Sequence, residues 1–570
     1  MEQSSRPTRG QQMAAKSLMK GFAVGAVLAA VMTLGSCFGT TPPGKANPAP
    51  SPNLQTFTPA NGSSSATLSI ASGSENGEVS NAIQKASDES GVAITMHYMG
   101  SLDIMNALEQ GGSSYDAVWP ASSMWISMGD TKHIVKDAAS TSTTPIVFGV
   151  AQSKAMALGW AKPDGSTRPV STSEVMDAVK AKRLKFSMTS ATQSNSGASA
   201  YLAFLTALSG KQQALSVAEL NDPALQASAK TLLSGVDRSS GSSDWLKDMV
   251  VSDPGRVDAM VNYESLVIAA NRQLTGNGHD PLLAVYPSDG IAISDSPLGY
   301  VDRGQKLDGA FAKFAKALHS KESQKLFEQA GRRTGLGGTL ANPNDAGVKS
   351  AFRADWGINA KPDALKSIAM PSADVISKAL DLYQTALRKP SYTIWVVDYS
   401  GSMGGNGGRD GVVKGLNAAL DPAQAKRSMI QPAPNDVNVF IPFDSSPQND
   451  TVAKGTDTGA ILDRANALEA GGGTDIYSAL DKAIRELPAD PSQYTTAIVA
   501  MTDGQSETGS RDSFMSHYRA LKDKPPIFSI MFGDADPSQL EDLAGTSNAK
   551  VFDGRNGNLA SVFRTVKGYN

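Results

Sequence analysis

The sequence predicts an α/β protein built from two successive modules behind an exported N-terminus. Three observations carry this. From residue 66 to residue 390, short apolar runs alternate with helical patterns, the alternation of α/β folds. A second series opens at 392–397 (YTIWVV), an apolar β-rich run that leads into a glycine-rich turn and a helix. The first 65 residues resemble neither series in composition. The expected division is 1–36 signal peptide, 37–65 tether, 66–360 first module, 361–390 helical connector and 391–570 second module.

Composition removes several function classes. Of 570 residues, 40% are hydrophobic and 19% charged, enough apolar material for packed cores. Lys+Arg 52 against Asp+Glu 55 leaves a net charge of −3, which argues against nucleic-acid binding through global positive charge. The single cysteine rules out an internal disulfide framework and a Cys-cluster metal site. The five histidines are scattered with no HExxH, so zincin chemistry has no support.

Residues 1–20 carry Arg6, Arg9, Lys16 and Lys20 against Glu2 alone, and 21–35 (GFAVGAVLAAVMTLG) is uncharged and mostly apolar. As a helix this run rises only about 22 Å, short of a hydrocarbon core of about 30 Å. A basic start, a short apolar run and small residues after it make a secretory signal; an uncleaved anchor helix is the alternative. The run ends in Leu34-Gly35-Ser36-Cys37. This resembles the bacterial lipobox, and the resemblance implies cleavage before Cys37, a lipid on its sulfur and attachment to the cell membrane on the extracytoplasmic side. Residues 38–65 hold six prolines and one charge, Lys45, the composition of a semi-extended tether.

In the first module, strands are expected at 66–71, 92–98, 115–119, 145–150, 184–189, 258–262, 281–286 and 290–293. Helices are expected at 77–90, 102–110, from about 196, at 263–271 and as one long amphipathic stretch over 310–331, with Phe311, Phe314, Leu318 and Leu326 on one face. The run 145–150 (PIVFGV) can cross to a second lobe. This strand order, the SNSGAS helix start, YESL after a strand and the late AFAKFAKALHSKESQKLFEQAG helix before Gly331-Arg332-Arg333 resemble a class II periplasmic solute-binding protein. The resemblance implies two lobes with a small-molecule cleft between them. Helix N-termini facing such a cleft suit anions or carboxylates. Ser72, Gly73 and Ser74, Ser122 and Ser123, Ser194, Asn195 and Ser196, and Tyr263 and Glu264 are its candidate lining residues; caps and turn formers are the alternative reading of the Ser and Asn positions.

The second module carries the sharpest pattern. Its first strand runs into Asp398-Tyr399-Ser400-Gly401-Ser402. Gly471-Gly472-Gly473-Thr474-Asp475 precedes a helix at 476–487, and the strand 496–501 (TAIVAM) ends in Thr502-Asp503-Gly504. In α/β sheets, ligands bind at the C-terminal ends of strands. Asp398, Ser400, Ser402, Thr474 and Asp503 supply two carboxylates and three hydroxyls, a hard-cation set suited to Mg2+ and less exclusively to Mn2+ or Ca2+. The set resembles the metal-ion-dependent adhesion site (MIDAS) of a von Willebrand factor A domain, a Rossmann-like doubly wound fold. The strands 437–443 and 527–533, GDAD (533–536) and a helix near 540–543 fit its remaining elements. By resemblance, Ser400 and Ser402 bind the ion directly, Thr474 directly or through water, and Asp398 and Asp503 mainly through water.

The expected protein is a membrane-anchored lipoprotein that binds an acidic group of a protein or other macromolecule through this ion. The alternative is the substrate-binding component of an ABC-type transport or sensing system, with the A domain as a docking accessory. There is no GxGxxG after a strand, no GxxxxGK[ST] and no GxSxG. No catalytic residue is assigned, and the protein is expected not to be an enzyme.

Overall fold

Apolar runs rich in Val, Ile and Leu gather into three sheets, with helices over their faces. The computed structural model describes residues 53–568 apart from 113, 362–364, 406, 504, 508, 534, 536 and 556–558. The signal run, Cys37, the start of the tether, Gly504 and two acids of GDAD lie outside the described residues.

The first sheet runs, in spatial order, Leu54–Phe57, Val92–Met99, Ala66–Gly73, Ala117–Trp119, Pro297–Val301 and Val135–Ser140. Its first strand corrects the tether, whose expected span included it. Leu54–Phe57 pairs antiparallel with Val92–Met99. Phe57 is buried with Leu68 and Ile94, and the Tyr98 hydroxyl donates to Gln55 Oε1 at 2.8 Å. One aromatic in a polar stretch sufficed to extend the sheet edge.

The second sheet runs Leu282–Val285, Thr144–Ala151, Ala259–Tyr263, Phe186–Thr189 and Val236–Ser240, with Ile293–Ser294 on the side. The chain enters this lobe past Thr141 and leaves it at Ser296. The Thr141 hydroxyl donates to Ser296 O at 2.8 Å, bonding the two passes together. A third pass is fixed where Thr143 and Arg333 exchange backbone hydrogen bonds of 2.7 and 2.8 Å.

The stretch expected as one helix over 310–331 is broken at Ser320 into Asp308–Leu318 and Lys321–Gln329. Ser320 is extended, and its hydroxyl accepts the Ser323 amide at 3.3 Å, so a local cap outcompetes continuation. The turn brings Phe327 edge-on to Trp119 at 6.5 Å and delivers Arg332 and Arg333 to the interior. In the connector, the helix Ala373–Leu382 and the wider turn Tyr383–Leu387 bury Val375, Ile376, Leu380, Tyr383 and Leu387 in the second lobe's core.

The third sheet runs Thr451–Lys454, Val437–Phe443, Ser391–Asp398, Thr495–Thr502, Ile527–Met531 and Val551–Asp553, parallel except at its first edge. One face packs Val412, Leu416 and Phe563, the other Tyr477, Leu480 and Phe514. Asp436 anchors the start of the central strands. It accepts Ser391 N at 2.8 Å and Ala433 N at 2.8 Å, and it pairs with Arg388 from the connector at 2.5 Å.

Helices of a parallel sheet return to the edge where strands begin, and that edge docks on the lobes. Asn548 Nδ2 donates to Met249 O at 3.2 Å, Arg256 donates to Lys524 O at 2.8 Å, and Ser239 Oγ donates to Gly568 O at 3.1 Å. Arg564 pairs with Asp103 of the first lobe.

Burial pushes the Asp436 carboxyl up, but the Arg388 charge and its hydrogen bonds outweigh this and hold it below the ordinary range. A depressed carboxylate stabilises the fold above its unfolded value of about 3.9, and the contribution is lost as pH falls through the lower folded value. Asp436→Asn should therefore cost about 3–5 kcal/mol at neutral pH, because it leaves Arg388 buried without its counter-charge. Urea midpoints should show that cost shrinking below pH about 4; a pH-independent difference would contradict it.

Candidate functional site

Chain order places the first opening. From the central strand Ser391–Asp398 the chain moves to Val437–Phe443 on one side, then to Thr495–Thr502 on the other. Where order reverses, the loops after the two strands part and leave a crevice. Asp398 ends the first of these strands, and Asp503 follows the second.

The loops at this crevice are stitched together. Asp398 Oδ1 accepts Ser400 N at 2.7 Å, and Oδ2 accepts the Thr502 hydroxyl at 2.6 Å. The Ser400 and Ser402 hydroxyls stand 3.1 Å apart, and Ser402 Oγ donates to Asp503 Oδ1 at 2.7 Å. Gly401 N donates to Gly472 O at 3.1 Å, which ties the glycine loop to the first loop. Thr474 O accepts Glu507 N at 2.9 Å and the Ser506 hydroxyl at 3.2 Å, which ties it to the third. Asp398, Ser400 and Asp503 are buried, Thr474 is half-buried and Ser402 is exposed, so the group opens to solvent at Ser402.

Burial pushes the Asp398 carboxyl above its ordinary range. The Asp503 charge adds to the rise, and hydrogen bonds from Thr502 and Ser400 oppose it. Two carboxylates held close in a partly dry rim repel each other, and a cation between them relieves the repulsion. Among the described residues, no three of His, Cys, Asp and Glu form a metal-binding group. The oxygen-only donor set fits a hard divalent ion completed by water, with Ser400, Ser402 and Thr474 as hydroxyl donors. Sequence reasoning did not single out Thr502, which bonds Asp398, or Glu507, which borders the glycine loop near Gly473.

Between the first two sheets most of the candidate cleft residues are buried and bonded to one another or to near neighbours. Ser74 Oγ meets Ser242 Oγ at 3.2 Å, lobe to lobe. Ser243, which starts the helix Ser243–Ser252, meets Ser194 Oγ at 2.8 Å and Ser196 Oγ at 2.7 Å. Asn195 Oδ1 accepts Trp125 Nε1 at 2.8 Å, and its Nδ2 donates to the Tyr263 hydroxyl at 3.0 Å. Ser72 accepts Asn76 Nδ2 at 3.0 Å. A Cβ on Gly73 would run into the Glu75 carboxylate, so glycine lets that side chain fold back on the strand end.

Other expected cleft residues are used elsewhere. Ser122 caps its helix by accepting Met124 N at 3.4 Å, and Ser123 N donates to Asp295 Oδ1 at 2.8 Å. Glu264 is a correction. Its carboxylate is fully buried against Arg333, with bonds of 2.8 and 2.7 Å, and it accepts the Tyr286 hydroxyl. It is a buried ion pair that holds the helix Glu264–Gly276 to the third interlobe pass.

Sequence reasoning missed a charged group beside these residues. Arg332 is fully buried and donates to Glu75 O at 3.0 Å, and among the described residues its Nε and Nη1 have no hydrogen-bond partner. Glu75 Oε1 and Asn76 Oδ1 also lack one among the described residues. Burial lowers the Arg332 pKa against the opposing charge of Glu75, and burial raises that of Glu75 against Arg332. Unsatisfied buried polar atoms of this kind call for a further partner such as water, an ion or a ligand.

Comparison with known proteins agrees with both modules. Residues 68–333 match the family model described as bacterial extracellular solute-binding protein, and 393–505 match the von Willebrand factor type A domain. The chain thus carries a bacterial solute-binding domain followed by a von Willebrand factor A domain. No curated protein matches its sequence. Among solved structures, the periplasmic binding protein AfuA from Actinobacillus pleuropneumoniae, with fructose-6-phosphate bound, shares 15% identity over 56% of this chain and 98% of that one, at a TM-score of 0.42. The sulfate-binding protein SubI from Mycobacterium tuberculosis shares 20% over 53% and 94%, at 0.38. A von Willebrand factor type A protein from Catenulispora acidiphila shares 18% over 32% and 43%, at 0.28.

Asn195 links an indole on the first lobe's side to a phenol on the second. Asn195→Leu leaves Trp125 Nε1 buried without a partner and takes one of the two side-chain hydrogen bonds from the Tyr263 hydroxyl, so it should cost about 2–4 kcal/mol. Denaturant unfolding measures this, and a loss under about 0.5 kcal/mol, typical of a surface site, would show the link to be dispensable.

Proposed function

We propose that this chain is an exported, lipid-anchored bacterial binding protein that takes a small solute between its lobes and captures an acidic group of a partner through Mg2+ at the rim of its A domain. The single observation that carries the metal reading is the Asp398–Ser400–Ser402–Asp503 chain of contacts at the point where strand order reverses. Neutral hydroxyls leave a bound Mg2+ strongly electrophilic. An outward coordination position then suits a carboxylate from a second macromolecule. The docked edge of the A domain is the opposite one, so the rim stays accessible while the modules are joined. An eight-residue central strand separates the two edges by about 26 Å.

For the solute, the N–H groups of Arg332 that lack acceptors among the described residues support a ligand with hydrogen-bond-accepting oxygens, while Glu75 already opposes its charge. Membrane attachment rests on Cys37 and the apolar run before it. Among the described residues no helix is long and apolar enough to cross a membrane.

Titration calorimetry of the purified full chain with MgCl2 should give saturable binding, weakened at least about tenfold by Asp398→Ala, which removes one of the two carboxylates. Equal binding by both proteins would refute the metal reading. Separately, Cys37→Ser should move the protein from the membrane fraction to the soluble one. Retention on the membrane with residues 1–36 still attached would favour an anchor helix instead.

A further inference from the structure

Along the docking face between the second lobe and the base of the A domain runs a half-open groove of about 690 Å3, within the usual size of a small-molecule site. Lys185, Arg238 and Arg256 line it from the lobe, and Thr496, Lys522 and Lys524 from the A domain. The five basic side chains among these face only Asp237, Asp253 and Asp523, and Lys185 already holds Asp237 at 3.1 Å. The lining therefore keeps a positive surplus.

Arg238 is where that surplus matters most. It is 7% exposed and has no carboxylate partner among the described residues. One amino group donates to Asn548 O, and the guanidinium lies over the Trp245 ring at 5.6 Å. Among the described residues its Nε and Nη1 have no hydrogen-bond partner, and neither does Thr496 Oγ1 from the A domain. Burial, helped by the neighbouring Arg256 charge, pulls the Arg238 pKa down to about 9. A buried guanidinium without a counter-ion is costly, and a multivalent oxyanion is the group that best matches guanidinium donors.

We propose that this groove binds a small phosphorylated molecule, whose phosphoryl oxygens are met by Arg238 and Arg256 from the lobe and by Thr496 and Lys524 from the A domain. Both modules contribute to the site, so the ligand favours their docked arrangement. A carboxylate would neutralise only part of the excess charge, whereas a phosphate group carries close to two negative charges at neutral pH.

The test is titration of the purified full chain with inorganic pyrophosphate in metal-free buffer, with NaCl at equal ionic strength as the control. Saturable binding and a rise in melting temperature are expected. Arg256 is exposed, so Arg256→Ser should fold normally, and it should raise Kd about tenfold by removing a charged contact. Arg332→Met, in the solute cleft, should leave this binding unchanged. Binding no stronger than in the NaCl control, or unaffected by Arg256→Ser, would overturn the proposal. Loss of binding in Arg332→Met would assign the anion to the solute cleft and overturn it equally.

Discussion

The A domain depends on the carboxylate of Asp436 more than on any other single group. It is buried, and it bonds the first residue of the central strand, a turn before the neighbouring strand and an arginine of the preceding module. Parallel strands then pair residue by residue, from Tyr392 with Val437 to Asp398 with Phe443. Because side chains alternate faces, a slip of one residue at the base would turn Asp398 away at the top. The ion pair that joins the two modules thus also aligns the rim at the far end of the sheet.

The same geometry divides the labour of the two edges. Strand starts and helix ends pack on the solute-binding lobes, while strand ends carry Asp398, Ser400, Ser402 and Asp503 outward. Docking uses backbone carbonyls, long cations and aromatic packing such as Trp245 against Phe528 at 6.2 Å. Such mixed polar contacts are typical of interfaces between domains, which are wetter than a core. The rim instead concentrates negative charge and hydroxyls in a few ångströms, where a divalent ion interacts most strongly.

What could be read from the sequence follows from range. Asp398, Ser400 and Ser402 are near neighbours in the chain, and the apolar runs before Asp398 and Asp503 are strong strand signals, so their positions at adjoining strand ends were legible. The two-lobed α/β organisation was legible for the same reason. Arg332 and Glu75 were not. Their encounter spans 257 positions, and nothing local distinguishes a buried unsatisfied arginine from a surface one. Glu264 was misplaced because its position after a strand looks like a cleft position, whereas its partner Arg333 lies 69 residues on. The break at Ser320 and the strand Leu54–Phe57 were lost to averaging, since an amphipathic period and a proline-rich composition each masked one decisive residue, Ser320 and Phe57.

One element belongs both to the interlobe serine cluster and to the docking face. The helix Ser243–Ser252 begins at the solute cleft, where Ser243 contacts Ser194 and Ser196. Two residues later Trp245 packs on Phe528 of the A-domain sheet, and at its far end Ser252 donates to Asn548 at 3.0 Å. Arg238, beside the inter-module groove, lies over that same indole. A ten-residue helix is about 15 Å long and moves as a rigid rod. Its cleft end and its docking end therefore cannot be positioned independently, and close packing passes a displacement of one to the other. Any free-energy coupling carried this way is reciprocal by thermodynamic necessity. To the extent that contacts holding the A domain to the lobe bias the interlobe region, that region biases docking by the same free energy.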